Sequence, residues 1–171
     1  MAAFITRTSH ILAMEPNKLH KFSDNGFLPK IPERLTSIGG LRSDIIKRFG
    51  SPISTESLIK PDIQDPGLSY EYVTWKYDGI TITTSTPLPS KSIKYWIEKI
   101  VLYGEDYLLL FGLRIGESKS KFVKELGSPS KEINNTLYYD NVYYRRHVNL
   151  TINFDKNERA KEIIWIYGIG H

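Results

Sequence analysis

The residues best suited to proton transfer or metal binding are four histidines, His10, His20, His147 and His171, and they stand far apart along the 171-residue chain. No two have the i, i+4 spacing that sets a pair of imidazoles on one helix face around a metal. There is no cysteine, which excludes a thiol nucleophile, a zinc–thiolate cluster and a disulfide framework. His147 beside Arg146 could help to hold an anion, although a solvated histidine at a strand edge is the simpler reading. Glu105-Asp106 falls where a turn is expected, and acidic residues are ordinary there. The glycine-rich "SIGGLRSD" (37–44) precedes a helical pattern and invites comparison with a phosphate-binding loop. It lacks the Gly-Lys-Ser/Thr ending that such a loop needs to reach phosphate and metal. No metal, no cofactor and no catalytic set are therefore expected, and the chain reads as a non-enzyme.

Chemistry of another kind is concentrated in aromatic runs. Tyr70, Tyr72, Trp75 and Tyr77 occupy one of them, and Tyr138, Tyr139, Tyr143 and Tyr144 another. Exposed tyrosine and arginine supply contact area and hydrogen-bond donors at modest entropic cost, which suits a protein interface. The net charge of +4 and pI near 9.1 mildly favour an acidic partner. However, the 23 basic and 19 acidic residues are interleaved, and only "YYRRH" (143–147) sets positive charge beside aromatics. A single-stranded RNA or DNA binder would use the same residue types with less acid. The sequence also has no RNP-type motif.

The elements that must position these side chains are announced by an internal repeat. "IGGLRSDIIKRFGSP" (38–52) returns as "IGESKSKFVKELGSP" (115–129). Each copy carries apolar residues on one helical face, Ile45, Ile46 and Phe49 or Phe122, Val123 and Leu126. Gly50 and Gly127 follow directly, where a positive φ closes the helix, and Pro52 and Pro129 prevent its resumption. Helices are predicted near 41–49 and 117–126. After the first comes a connection (51–67), then "LSYEYVTWKYDGITITTST" (68–86), whose Asp78-Gly79 marks a hairpin. A third strand is predicted at "IEKIVLY" (97–103). In the second copy "TLYYDNVYYRRHVNLTINF" (136–154), the turn "DKNE" and "KEIIWIY" (161–167) keep the order. Residues 1–34 have no counterpart in the second copy and are expected to form an arm.

Period-two alternation puts Val73, Trp75 and Tyr77 on one face, suited to packing under a helix, and Tyr70, Tyr72, Thr74 and Lys76 on the other. Aligning "ITITT" with "LTINF" offsets the copies by 70 and matches Tyr72, Thr74 and Lys76 with Val142, Tyr144 and Arg146. The expected partner-binding set is Tyr70, Tyr72, Lys76, Tyr144 and Arg146, gathered on a helix-free sheet face. That these tyrosines merely cover the sheet is the competing reading.

A Gly, a helix closing with "LGSP" or "FGSP", a Tyr-rich strand, an alternating strand and a final strand together resemble the β-lactamase inhibitory proteins and the SmpA/BamE-like envelope lipoproteins. The resemblance spans roughly 35–167 and implies an α+β fold. Two tandem helix-plus-three-antiparallel-strand repeats, 35–104 and 105–171, would form sheets with helices on one face. It also implies that the free sheet face grips a partner protein, as an inhibitor or immunity protein blocking an enzyme or toxin. Alternatives are the nucleic-acid binder and an envelope assembly factor. The cysteines that staple such repeats and the lipobox cysteine are missing here. The opening "MAAFITRTSHILAMEPNK" has no apolar run of signal-peptide length, with Arg7 interrupting it, and no membrane span is expected. The location would be cytoplasmic if the chain is full length, and periplasmic or secreted if a signal was removed.

Overall fold

The computed structural model describes residues 40–41, 45–46, 49–89, 94–143 and 146–168. The expected arm, with His10 and His20, lies outside the described residues, as do His171 and Tyr144.

Among the described residues nine strands make one antiparallel sheet. They are β1 (Gly40–Leu41), β2 (Ser54–Pro61), β3 (Ser69–Tyr77), β4 (Ile80–Leu88), β5 (Lys94–Leu102), β6 (Lys131–Ile133), β7 (Thr136–Tyr143), β8 (Arg146–Phe154) and β9 (Ala160–Gly168). Spatial order is β2-β3-β4-β5-β9-β8-β7-β6, with β1 attached to β5. Each half of the sheet is thus a four-stranded meander, and the two join through antiparallel pairing of their last strands, Lys99 to Leu102 against Ile163 to Ile166. Among the described residues one helix is complete, α1 (Lys119–Leu126).

The α+β expectation is therefore corrected. The molecule is mainly β, with a single continuous sheet in place of two three-stranded repeats each under its own helix. Two physical reasons stand out. Strands β5 and β9 are apolar and would leave open edges if each repeat closed on itself, and pairing them removes both. In the first copy Gly40 and Leu41 pair along β5, and of the described residues in the predicted 41–49 segment Ile45, Ile46 and Phe49 are helical.

The helix ending itself is as the repeat predicts. The Gly50 amide donates to the Ile46 carbonyl and the Gly127 amide to that of Val123, both at 2.8 Å. Their φ angles are 77° and 82°, a region that side chains with a Cβ avoid. At the other end of α1 the Ser118 hydroxyl accepts the Lys121 amide, capping the helix.

Turn chemistry sets the hairpins. Asp78-Gly79 joins β3 to β4 as expected, and a Cβ on Gly79 would sit 2.7 Å from the Gly104 Cα. Asn134 and Asn135 both hold positive φ, 46° and 60°, which a tight β6–β7 hairpin requires. In the predicted "DKNE" turn the Asp155 carboxylate accepts the amides of Asn157 and Arg159, each at 2.8 Å.

One face of the sheet is the core. Val73, Trp75, Tyr77, Ile80, Ile82, Ile100 and Leu102 from the first half, and Leu137, Tyr139, Val148, Leu150, Ile152, Ile163 and Trp165 from the second, are buried there. They pack with Ile45, Leu109, Leu113, Phe122 and Leu126. Phe122 meets Phe154 edge to face, with centroids 5.7 Å apart, a geometry aromatic pairs favour. The indole N–H of Trp75 donates to the Thr84 hydroxyl, which in turn donates to the Val73 carbonyl. That chain of bonds removes the penalty of burying these polar atoms.

Candidate protein-binding face

The opposite face is where the sequence placed its tyrosines. Strand β3 runs with Val73, Trp75 and Tyr77 buried and Tyr70, Tyr72, Thr74 and Lys76 half-buried, so the parity argument holds along its C-terminal part. Backbone registers fix what surrounds each residue. Tyr70 lies between Lys60 of β2 and Pro87 of β4, and Tyr72 between Leu58 and Ser85. Lys76 lies between Ser54 and Thr81. Beyond β4, Ser85 pairs with Trp96 of β5.

The register of β4 on β5 shifts between Thr83 and Thr84, which pair with Lys99 and Ile97. Glu98 is the extra residue of this bulge. A bulge re-aims side chains and breaks strict alternation, and here the Glu98 carboxylate accepts the hydroxyl of fully buried Ser85. Across the row the Tyr70 ring stands 6.2 Å from that of Trp96 and 6.5 Å from that of Tyr72. The Lys60 ammonium lies 5.3 Å from the Tyr72 ring centroid, within cation–π range. The result is a cluster of three half-buried aromatic rings bordered by Asp62, Glu98 and Lys60.

Both phenols are held in the neutral, donating form. Partial burial raises the Tyr70 pKa above its usual value, with further increments from the charge and hydrogen bond of Asp62 and the charges of Glu98 and Asp65. For Tyr72 burial again comes first, followed by Glu98. A carboxylate beside a phenol opposes a second negative charge. The site therefore sets aromatic area, phenol O–H groups and hydrogen-bonded carboxylates side by side.

Of the five residues predicted for binding, the structure brings Tyr70 and Tyr72 together. Lys76 shares their face but stands apart, in an exposed ion pair with Glu56 at 2.5 Å. Tyr144 lies outside the described residues. Arg146 opens β8, where it pairs with Tyr143. It thus occupies the first position after the hairpin. The 70-residue offset had matched it with Lys76 inside β3, and that alignment ran across the hairpin.

Residues missed in the sequence are Trp96, Glu98, Lys60 and Asp62. Trp96 fell outside a strand whose predicted start was Ile97. Lys60 belongs to β2, whose eight residues are all exposed and so carry no alternation to detect. Glu98 depends on a bulge that no local pattern marks.

The second half presents a different surface on the same side. Thr136 donates to Asn153 at 2.8 Å, and Asn153 donates to Glu162 at 2.6 Å, so these polar groups satisfy one another. Tyr138 is half-buried opposite Thr151, while Tyr139 is buried on the core face and donates to the Gly127 carbonyl at 3.1 Å.

No helix among the described residues is long and apolar enough to cross a membrane. Comparison with protein-family models, curated proteins and solved structures finds no match for this chain.

Proposed function

We propose that this chain is a non-catalytic protein-binding protein of the inhibitor or immunity type, which engages a folded partner enzyme or toxin through the helix-free face of its first half-sheet. The observation that carries the reading is the Tyr70–Tyr72–Trp96 cluster, half-buried and framed by Asp62, Glu98 and Lys60. Large rings held by their neighbours present contact area with little entropy left to lose, and such residues dominate interface energetics. The flanking carboxylates favour a partner that inserts a lysine or arginine, attracted both by charge and by the ring faces. The same carboxylates disfavour the nucleic-acid reading, because they would repel phosphates that basic residues must neutralise.

The test is alanine substitution of Tyr70, Tyr72 and Trp96, with binding to the partner co-purified from the native source measured by calorimetry. Anchors at the centre of such a face should each cost about 2 kcal/mol or more. Folded variants that bind as tightly as the parent would remove the interface from this face. A complex whose affinity instead fell steeply and linearly with the logarithm of salt, and which contained nucleic acid, would establish the other class.

A further inference from the structure

Among the described residues strand β2, Ser54–Pro61, is the outer edge of the first half-sheet, and its residues are exposed on both faces. Among them Leu58 and Ile59 keep 56% and 61% of their surface in solvent, a large apolar exposure for an edge that also carries unpaired backbone groups. The other outer edge, β6, has three residues and offers no comparable template.

Hydrogen-bond parity says which groups of β2 turn away from β3. The Asp62 amide donates to the Leu68 carbonyl, continuing the register in which Lys60, Leu58, Glu56 and Ser54 oppose Tyr70, Tyr72, Thr74 and Lys76. Antiparallel ladders bond at every second residue, so these even-numbered residues turn their amides and carbonyls toward β3. Thr55, Ser57 and Ile59 turn theirs outward, as does the Pro61 carbonyl.

We infer that the β2 edge is a homodimer interface, in which two copies pair antiparallel about a twofold axis at Leu58. The sequence "ESLIK" (56–60) is complementary to itself in this register. Leu58 faces Leu58 of the second copy, Glu56, which within its own chain pairs with Lys76, faces its Lys60 as well, and Lys60 faces its Glu56. These are non-hydrogen-bonded pairs, in which side chains approach most closely. Ser57 opposite Ile59 then uses the outward amide and carbonyl of each, and the Thr55 amide meets the Pro61 carbonyl. Sliding the register by two residues either way destroys the match. One slide sets Glu56 against Leu58, and the other sets Glu56 against Asp62.

Two features limit the pairing to this segment. Pro61 has no amide to extend the ladder. At the other end both Ile53 and Ser54 lie at the Lys76 carbonyl, the Ile53 amide donating to it at 2.8 Å, a bulge that ends regular pairing. The edge is thus shaped for one finite pairing, and the second copy is its occupant. The inference shares Lys60 with the partner-binding face proposed above, where its ammonium meets the Tyr72 ring, but it is tested by self-association alone.

The test uses charge exchange. Sedimentation velocity of the parent chain should show a monomer–dimer equilibrium between about 10 μM and about 1 mM, the range expected of a short edge pairing. E56K places lysine against lysine across the twofold axis, and K60E places glutamate against glutamate, so each should weaken self-association at least about tenfold. Mixed together, the two variants are complementary at both positions and should form a heterodimer. S57P, which deletes an outward amide without touching the β2–β3 ladder, should also be monomeric, and circular dichroism confirms the fold of every variant. A parent that is monomeric throughout that range overturns the inference. So does a dimer whose stability ignores both charge variants, or a mixture that fails to associate.

Discussion

The two half-sheets repeat one wiring plan and spend their solvent-facing sides differently. In both, a four-stranded meander runs outward from the β5–β9 seam and a positive-φ glycine closes the preceding helical segment. The first half sets aromatic rings beside the carboxylates of Asp62 and Glu98 on its helix-free face and ends in an eight-residue exposed edge. The second ties its polar side chains to each other from Thr136 through Asn153 to Glu162 and ends in a three-residue edge. A face whose polar groups satisfy one another has little to gain from a partner, whereas half-buried rings and exposed strand backbone gain by being covered. In the function proposed above, the first half makes the contact and the second serves as its scaffold.

Breaking the shared frame should have the largest effect. Phe122 is fully buried against Phe154, and Phe122→Ala should destabilise by about 3–5 kcal/mol, measured by urea unfolding. An effect below about 1 kcal/mol would show that α1 is peripheral to the core rather than part of it. The asymmetry of the two faces comes next. Tyr72→Ala should cost about 2 kcal/mol in partner binding and Thr151→Ala less than about 0.5 kcal/mol. Equal losses at the two positions would abolish the distinction between the two halves of the face.

The glycines test the frame from both sides. Gly50→Val and Gly127→Val should each cost roughly 1 kcal/mol or more, because both φ angles lie where a branched side chain is strained. At Gly50 nothing stands within 4 Å of an added Cβ, so any loss there comes from backbone strain alone. Thermal melts unchanged at both would mean that the caps contribute nothing.

The smallest expected effect is an alkaline one. Burial, helped by the Glu132 charge, raises the Tyr139 pKa well above its ordinary value of 10.0. The unfolded chain therefore deprotonates first as pH rises, so this contribution to stability is whole below about pH 10 and is lost progressively above it. Tyr139→Phe, which removes the bond to the Gly127 carbonyl, should cost about 1 kcal/mol at neutral pH and flatten the alkaline slope. A slope identical to the parent's would place the responsible group elsewhere, with Tyr77 and Tyr107, both shifted upward by burial, the next to examine.

Legibility followed locality. Positive φ at Gly50 and Gly127, the Asp78-Gly79 and Asp155–Glu158 turns, and the burial of Val73, Trp75 and Tyr77 were all written within a few residues of where they act. Caps, turns and period-two alternation are properties of adjacent residues, so one sequence suffices to read them. Tyr70 and Tyr72 were found by the same rule. Their neighbours were not, because Trp96, Lys60 and Glu98 reach the cluster across strand registers and through a bulge.

What only the tertiary structure decided is how the halves meet. The residues of β5 and β9 are equally apolar whether each repeat closes alone or both share a seam, and no local preference separates those outcomes. Antiparallel pairing of Lys99–Leu102 with Ile163–Ile166 turned an expected α+β tandem into one mainly β sheet. That choice also left β2 at an edge, where Leu58 and Ile59 are exposed on opposite sides. Sequence alone determined which residues alternate, cap and turn, because those are contests between a residue and its immediate neighbours. The strand order, the edge and the composition of the aromatic cluster are settled by which distant surfaces bury each other best, and that is a property of the whole chain.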